Sequence, residues 1–253
     1  MDFRLKGTRR NFLQMSVAGG ALLVFNGCGR EQAQKATEQS AKESSKPGNS
    51  EKGGEVTATE DLMREHGVLR RALLVYSEAA AKLRTNPSAI STEALQKTAK
   101  LFRAFGEEYH ERKLEEAYIF PAVKKAGGPA AVYPDILLAQ HSRGREITNY
   151  ILAATQGGKL GSTSAEQFAG ALEALVRMYR AHASREDTIV FPAWKQTLTA
   201  EQLDEMNDKF EDIEHEQFGE DGFEDAVKQI SEIESELGLA DLGFFTAPAP
   251  PSQ

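Results

Sequence analysis

The chain has 253 residues, 40% of them apolar, and is long enough to bury a substantial core. Its 38 acidic and 30 basic residues give a net charge of -8, so we expect no nucleic-acid partner. The only cysteine is Cys28, which excludes an internal disulfide, a thiolate zinc cluster and haem attachment through a cysteine pair. The ligands of any bound metal must therefore be His, Asp or Glu.

Residues 1–28 have the basic start and short apolar stretch of an export signal. Residues 8–14 (TRRNFLQ) resemble the twin-arginine signal, with Gln14 where Lys is usual. Residues 26–28 (NGC) resemble the end of a bacterial lipobox, although Asn26 is a poor fit and an ordinary cleavage site is the alternative. We expect export by the twin-arginine translocase to the periplasm or cell envelope, with membrane attachment only through a lipid on Cys28.

A linker and a tail flank the helical part of the chain. Residues 30–56 contain no aromatic residue, and Ala and one Val are their only apolar groups. Such a segment cannot offset the entropy of folding, so we predict a disordered linker over residues 29–56. The tail, residues 241–253, ends in APAPPSQ and is expected to be unstructured there.

Residues 57–198 have the hydrophobic periodicity of four long helices, and strand signals are negligible. Thr57 and Glu60 match a capping box at the first helix. Caps, Pro134 and glycine pairs place the helices at about 57–83, 91–126, 134–157 and 164–196. Two shorter helices follow over residues 199–240. The pattern predicts an all-α fold, an antiparallel up-down four-helix bundle with two additional C-terminal helices.

The two predicted helical hairpins repeat one pattern. Residues 61–70 (DLMREHGVLR) and 136–145 (ILLAQHSRGR) share Leu-(Met/Leu)-x-(Glu/Gln)-His-x-x-x-Arg. Residues 110–122 and 182–193 both contain a His, then a carboxylate about one turn later, then Phe-Pro-Ala. The repeat places four of the five histidines at equivalent positions: His66, His110, His141 and His182.

Each of these four histidines has apolar neighbours at helical spacing, so the imidazoles should point into the bundle. A single histidine on an apolar face is usually a core residue with one hydrogen bond. Four of them with two glutamates instead form a nitrogen-rich site for two first-row metal ions, because buried carboxylates need a compensating charge. We interpret the pattern as a binuclear iron centre.

At this point the sequence resembles the hemerythrin-like proteins, whose four-helix bundle holds a non-haem di-iron centre. The resemblance covers about residues 57–196 and implies two iron ions, with dioxygen or another small diatomic molecule as the ligand. It implies one metal ligand in the first helix, two in the second, one in the third and two in the fourth, with bridging glutamates: His66, His110 and Glu115, His141, and His182 and Glu186.

The sequence departs from this family in two places. Oxygen-carrying members have a second histidine one turn after the third-helix ligand, where this chain has Arg145, so the four-histidine set is closer to sensor-type members. Glu186 follows His182 by four residues, but Glu115 follows His110 by five, which puts it about 140° off in an α-helix.

A single wide turn, a π-bulge, would bring Glu115 back to the histidine face. The competing ligand is Glu107, three residues before His110, which would give the Glu-x-x-His of ferritin-like di-iron proteins. Tyr179 occupies the matching place before His182, so the repeat does not support Glu107.

Arg70 and Arg145 each follow a ligand histidine by four residues. They are either boundary residues with solvated guanidinium groups or partners of the bridging glutamates or of a bound anionic oxygen species. The two Phe-Pro pairs indicate core packing with a kink that widens the bundle. His215 lies on an acidic, solvated face, and a role as a fifth ligand is the alternative.

Three functions are compatible with this pattern. The first is a di-iron protein that binds a small ligand for sensing, storage or carriage. The second is a di-iron redox enzyme that reduces peroxide or nitric oxide or oxidises ferrous iron. A bundle with haem between two histidines would leave the other four ligands unexplained. Nitrogen-rich ligation and the expected scarcity of acids besides Glu115 and Glu186 favour the first, because proton delivery would be slow.

Overall fold

The computed structural model describes residues 56–158, 160, 164–219 and 221–251. This part of the chain contains no strand, which confirms the all-α class. Its six main helices are α1 (Ala58–Thr85), α2 (residues 92–126), α3 (Tyr133–Ala154), α4 (residues 165–196), α5 (Ala200–Phe218) and α6 (Gly222–Leu237). The predicted signal sequence, lipidation of Cys28 and most of the linker lie outside the described residues.

The helix ends have the local chemistry that the sequence indicates. Thr57 and Glu60 form both hydrogen bonds of a capping box at the start of α1. Gly127, with φ of 75°, ends α2. Helix α3 ends at Ala154, about three residues before the predicted end at 157, and a short 3-10 turn, Gln156–Gly158, follows it. Gly157 has φ of 80° in that turn and cannot continue a right-handed helix.

Helices α1 to α4 form an antiparallel bundle in which α1 packs along α4 and α2 packs along α3. At one end of the bundle Arg84, late in α1, pairs with Glu166, early in α4, through Nη2 and Oε1 at 2.9 Å. Lys124, near the end of α2, pairs with Asp135 at the start of α3 at 2.6 Å. These contacts require opposite helix directions, as in the up-down topology that the sequence predicted.

Helices α2 and α4 both contain π-helical backbone, in which each turn is wider than an α-helical turn. The segments in chain order are Thr92–Leu101, the π-helical Phe102–Ile119 and Phe120–Ala126 in α2, and Ala165–Arg185, the π-helical Glu186–Val190 and Phe191–Gln196 in α4. The sequence predicted one wide turn near Glu115. The structure has π-helical segments in both helices, and the segment in α2 extends over 18 residues.

The two π-helical segments end in the same way. The N–H of Phe120 donates to the carbonyl of Glu115, five residues earlier, and the N–H of Phe191 donates to that of Glu186. A proline follows each phenylalanine, and proline has no N–H and clashes with the carbonyl four residues before it in an α-helix. The wider turn relieves that conflict immediately after each glutamate.

The two C-terminal helices pack onto the bundle. Phe210 of α5 stacks on Trp194 of α4, with ring centroids 5.7 Å apart. Phe218, the last residue of α5, makes an edge contact with Tyr109 of α2 at 5.2 Å. Helix α6 contacts α1 and α2. The first of these contacts brings α5 against the bundle, and the second places it beside the residue that precedes His110.

The tail contains one short 3-10 turn, Leu242–Phe245, and residues 247–251 have no regular secondary structure. In the part of the chain that the structure describes, none of the helices has both the length and the apolar composition to cross a bilayer.

Candidate metal centre

The six ligand candidates from the sequence lie together in the middle of the bundle, and none of their side chains is more than 3% exposed. The four histidines form two pairs. In the first histidine pair, His66 and His110, the Nε2 atoms are 3.1 Å apart. In the second histidine pair, His141 and His182, the same two atoms are also 3.1 Å apart.

Two glutamates lie between the histidine pairs, and each directs one oxygen at each pair. Glu115 Oε1 is 3.3 Å from His110 Nε2, and its Oε2 is 3.3 Å from His141 Nε2. Glu186 Oε2 is 3.5 Å from His66 Nε2, and its Oε1 is 3.0 Å from His182 Nε2. Each histidine pair therefore faces one oxygen from each glutamate.

The Nδ1 atom of every one of these histidines contacts an oxygen of another side chain. His66 contacts Asp187 at 2.6 Å, His110 contacts Glu65 at 2.7 Å, His141 contacts Glu116 at 2.9 Å, and His182 contacts Gln140 at 2.9 Å. Because these oxygens are acceptors, Nδ1 is the protonated nitrogen and donates. The Nε2 lone pairs are then left to point at the centre of the bundle, as in histidines that bind metals.

This donor set fits two metal ions. Facing Nε2 atoms repel each other unless a proton or a metal ion lies near both, and none of the four oxygens of Glu115 and Glu186 accepts a hydrogen bond from the described residues. One shared proton in each histidine pair would engage the nitrogens but would leave the four carboxylate oxygens without a partner. Two metal ions could use all four nitrogens and all four oxygens as ligand atoms. Imidazole and carboxylate together suit first-row transition metals such as iron.

Burial and charge act in opposite directions on these groups. Burial would lower the pKa of His110, but the nearby charge of Glu115 and the hydrogen bond to Glu65 outweigh burial and raise this pKa well above the usual value. The pKa of His141 is raised to about 10 by neighbouring carboxylates, against the effect of burial. Burial would raise the pKa of Glu186, but His182 and His66 lower it well below normal. Protons and metal ions therefore compete for these side chains.

Arg70 and Arg145 each pair with a carboxylate that accepts a hydrogen bond from one of the ligand histidines. Arg70 pairs with Asp187, and Arg145 Nη2 donates to Glu116 Oε1 at 2.5 Å. Of the alternatives that the sequence left open, pairing with the bridging glutamates themselves is not seen, because each arginine reaches the residue that follows the glutamate. Burial would raise the pKa of Glu116, but His141 and the arginine lower it to about 2. Each arginine thus keeps its carboxylate ionised and fixes one imidazole.

Glu107 is buried away from the histidines. It accepts a hydrogen bond from Thr148 at 2.6 Å and lies 2.6 Å from Arg103 Nε. The structure therefore brings Glu115, and not Glu107, to the histidine pairs. Burial raises the pKa of Glu107 to about 7, against the hydrogen bond from Thr148. His215 is exposed on α5.

A small cavity bordered by the first histidine pair and by His182 of the second has space for about one water molecule. Its other lining residues include Leu69, Leu73, Glu111 and Tyr179. The Tyr179 hydroxyl donates to Glu111 Oε1 at 2.6 Å, and Arg145 donates to Glu111 Oε2 at 3.1 Å. Glu111 was not among the residues predicted from the sequence, where Tyr179 appeared only as a mismatch in the repeat. Glu111 follows a ligand histidine directly, and that position was the available signal.

Comparison with known proteins agrees with this geometry. The family model described as the hemerythrin HHE cation binding domain matches residues 57–194. The chain belongs to this family. The matched residues cover nearly all of the four-helix bundle and include all six ligand candidates of the buried His and Glu cluster.

Similar chains occur in mycobacteria. Uncharacterized proteins of Mycobacterium bovis and of two strains of Mycobacterium tuberculosis are each 37% identical to this chain over 241 residues. The match covers 94% of this chain and 90% of each relative. No solved structure matches the chain.

The raised pKa of Glu107 predicts a pH-dependent stability. The folded protein holds this proton up to a pH of about 7, but the unfolded chain releases it near 4.5, so the contribution of Glu107 to stability decreases as the pH rises between these values. Glu107→Gln should remove that decrease. Urea denaturation at several pH values measures it, with Glu108→Gln as the control for loss of one charge. An unchanged pH slope in Glu107→Gln would contradict the prediction.

The hydroxyl of Tyr179 occupies the space that a side chain at Gly144 would need. Gly144→Ala should therefore displace Tyr179 from Glu111 and lower the free energy of unfolding by about 1–3 kcal/mol, the usual cost of overpacking. Gly170→Ala is the matched control, because nothing lies within 4 Å of a Cβ there and alanine favours helix by about 0.5–1 kcal/mol. Chemical denaturation of both variants decides; equal stability would refute the steric argument.

Proposed function

We propose that the protein holds a non-haem di-iron centre and binds dioxygen or another small ligand there, in a sensing, storage or carrier role. The observation that carries this proposal is the placement of Glu115 and Glu186, each with one oxygen directed at each histidine pair. One ion would be held by the first pair and the other by the second, and both glutamates would contact both ions.

Iron is the metal that the donor set and the family together support. Mixed imidazole and carboxylate ligation suits iron, whereas a structural zinc site usually includes cysteine, and the only cysteine is Cys28 in the predicted signal. When bound, a ferrous pair supplies an electron-rich site for a molecule such as dioxygen. The surrounding residues determine whether that molecule is held or consumed.

The residues around the cavity favour holding a ligand. Leu69 and Leu73 form an apolar wall that limits water entry. Burial and the charge of Glu111 raise the pKa of Tyr179 well above normal, so the tyrosine keeps its proton. That proton is directed at Glu111 Oε1, and Arg145 occupies the other oxygen of Glu111. The network therefore fixes its protons within the protein and does not release them to the cavity.

A redox enzyme is the second candidate, and a specific observation favours it. Glu111 and Tyr179 line the same cavity as four of the six histidine and glutamate ligand candidates, so a carboxylate and a hydroxyl lie close to where a small molecule would bind. If the Tyr179 side chain rotates, its hydroxyl can donate to the bound molecule instead of to Glu111. That hydrogen bond would assist proton transfer during reduction of peroxide or nitric oxide. Oxidation of ferrous iron is the third reaction in this class.

Protein from iron-replete cells should contain about two irons per chain. His182→Ala should lose one or both, because Glu186 and His141 then lack their partner at the second pair. His215→Ala is the control and should keep both, since His215 is exposed on α5. Metal analysis by mass spectrometry measures all three proteins. Stoichiometric zinc or haem, or equal losses in both variants, would reject the di-iron assignment.

Anaerobic reduction followed by air, monitored by optical spectra, separates the two candidates. A ligand-binding protein should give a new absorption band on air exposure that lasts long enough to record and then decays slowly to the resting ferric state. Rapid multiple-turnover consumption of peroxide or of ferrous iron, with no such band, would favour the enzyme.

We also propose that the twin-arginine translocase exports the chain to the periplasm or cell envelope, where Cys28 carries a lipid anchor. The support is residues 8–14 together with the metal problem: nitrogen-rich sites bind nickel, copper and zinc more tightly than iron. Export of a folded protein would allow iron to be inserted first. Replacing Arg9 and Arg10 with Lys should retain metal-loaded protein in the cytoplasm, which cell fractionation measures. Normal export of that variant would reject this route.

A further inference from the structure

The hydrogen bonds behind the four imidazoles follow the internal repeat, with one exception. Asp187 and Glu116, which follow the two glutamates, hold one histidine of each pair. The other two histidines are held by the residue that precedes the ligand histidine in α1 and in α3. In α1 this residue is Glu65, a carboxylate, whereas in α3 it is Gln140, a neutral amide.

This one difference acts directly on metal affinity. A carboxylate that accepts the Nδ1 proton makes Nε2 a stronger electron donor than an amide does. His110 in the first pair has the carboxylate of Glu65, and His182 in the second pair has the amide of Gln140. Removal of such a partner typically costs 10–100-fold in metal affinity.

Glu111 does not compensate for this difference. Its Oε2 is 3.9 Å from His141 Nδ1, beyond hydrogen-bond distance, and its two oxygens already accept from Tyr179 and Arg145. The arginine also neutralises the charge that Glu111 adds to the second pair. The hydrogen bonds made directly to the imidazoles therefore decide the difference between the pairs.

Burial differs in the same direction. Tyr109, the residue before His110, is buried against Phe218 at the end of α5 and donates to Glu65 Oε1 at 3.0 Å. Ala181, the residue before His182, is exposed, and Gln140 is half-buried. Phe218 of α5 therefore covers the tyrosine that donates to Glu65, whereas Gln140, the equivalent partner in the second pair, is half-buried.

We infer that the two metal positions are unequal: the position at the first histidine pair binds its ion more tightly and is filled first, and the position at the second pair fills last and releases first. Glu65 and Gln140 are the positioning residues that set this order, through His110 and His182. The inference rests on the proposed di-iron function, and it adds an order of loading that the function alone does not require.

Anaerobic titration of the full-length, metal-free protein with Fe²⁺ against a competing ferrous chelator tests this order. We expect two binding steps of one ion each, about 10–100-fold apart in dissociation constant. Glu65→Gln should weaken the tighter step about 10-fold or more and leave the other step in place. Gln140→Glu is the matched reciprocal variant and should tighten the weaker step. Both changes preserve side-chain shape, and Gln140 is half-buried, so it tests the order even if Glu65→Gln misfolds.

The outcomes separate the two proposals. Binding of two ions in steps that none of the substitutions shifts, or a shift of the same step by both variants, overturns the loading order and leaves the di-iron function intact. Saturation below two ions per chain rejects the di-iron function, and the order with it. A weakened tighter step in Glu65→Gln together with a tightened weaker step in Gln140→Glu supports both proposals, whereas the reverse assignment of the two steps overturns the loading order.

Discussion

The burial of two carboxylates among four imidazoles is the constraint on which the rest of the bundle depends. An ionised carboxylate in a protein interior is strongly destabilising unless a cation or a set of hydrogen-bond donors faces it. Among the described residues, no hydrogen-bond donor reaches the carboxylate oxygens of Glu115 and Glu186. The groups that face these oxygens are the Nε2 atoms of the histidines. The outward hydrogen bonds at Nδ1 keep those nitrogens available, so the protein interior is built around positive charge that protons or metal ions must provide.

The helical backbone is adapted to the same pair of glutamates. Each glutamate begins a wide turn that ends five residues later at a Phe-Pro pair, although their distances from the preceding histidines differ by one residue. An α-helix could not place both carboxylates on the histidine face with those spacings. The longer π-helical segment of α2 absorbs the additional residue, and the proline after each segment makes the wide turn less costly than a regular one.

The fold and the set of buried ligand candidates could be predicted because both depend on order along the chain. Periodicity located the helices, and the repeated histidines and glutamates indicated one cluster. The groups behind the imidazoles could not be predicted, because Asp187 reaches His66 across more than one hundred residues and Glu116 reaches His141 from another helix. The partner of Arg70 stayed open for the same reason: neighbouring residues of α4 face different directions, and only packing shows that Asp187 is the one that faces α1.

The departures from the repeat matter more for function than the repeat itself. Two equivalent halves would give two equivalent metal positions, and a symmetric site offers an incoming molecule no preferred end. Here the first pair has the carboxylate of Glu65, whose partner Tyr109 packs against Phe218 of α5, whereas the second pair has the amide of Gln140. A stable ion at the first pair and a more labile one at the second would let the protein keep its fold while one position responds to its surroundings. That division suits a ligand-binding or sensing protein, because the responding position need not also maintain the structure.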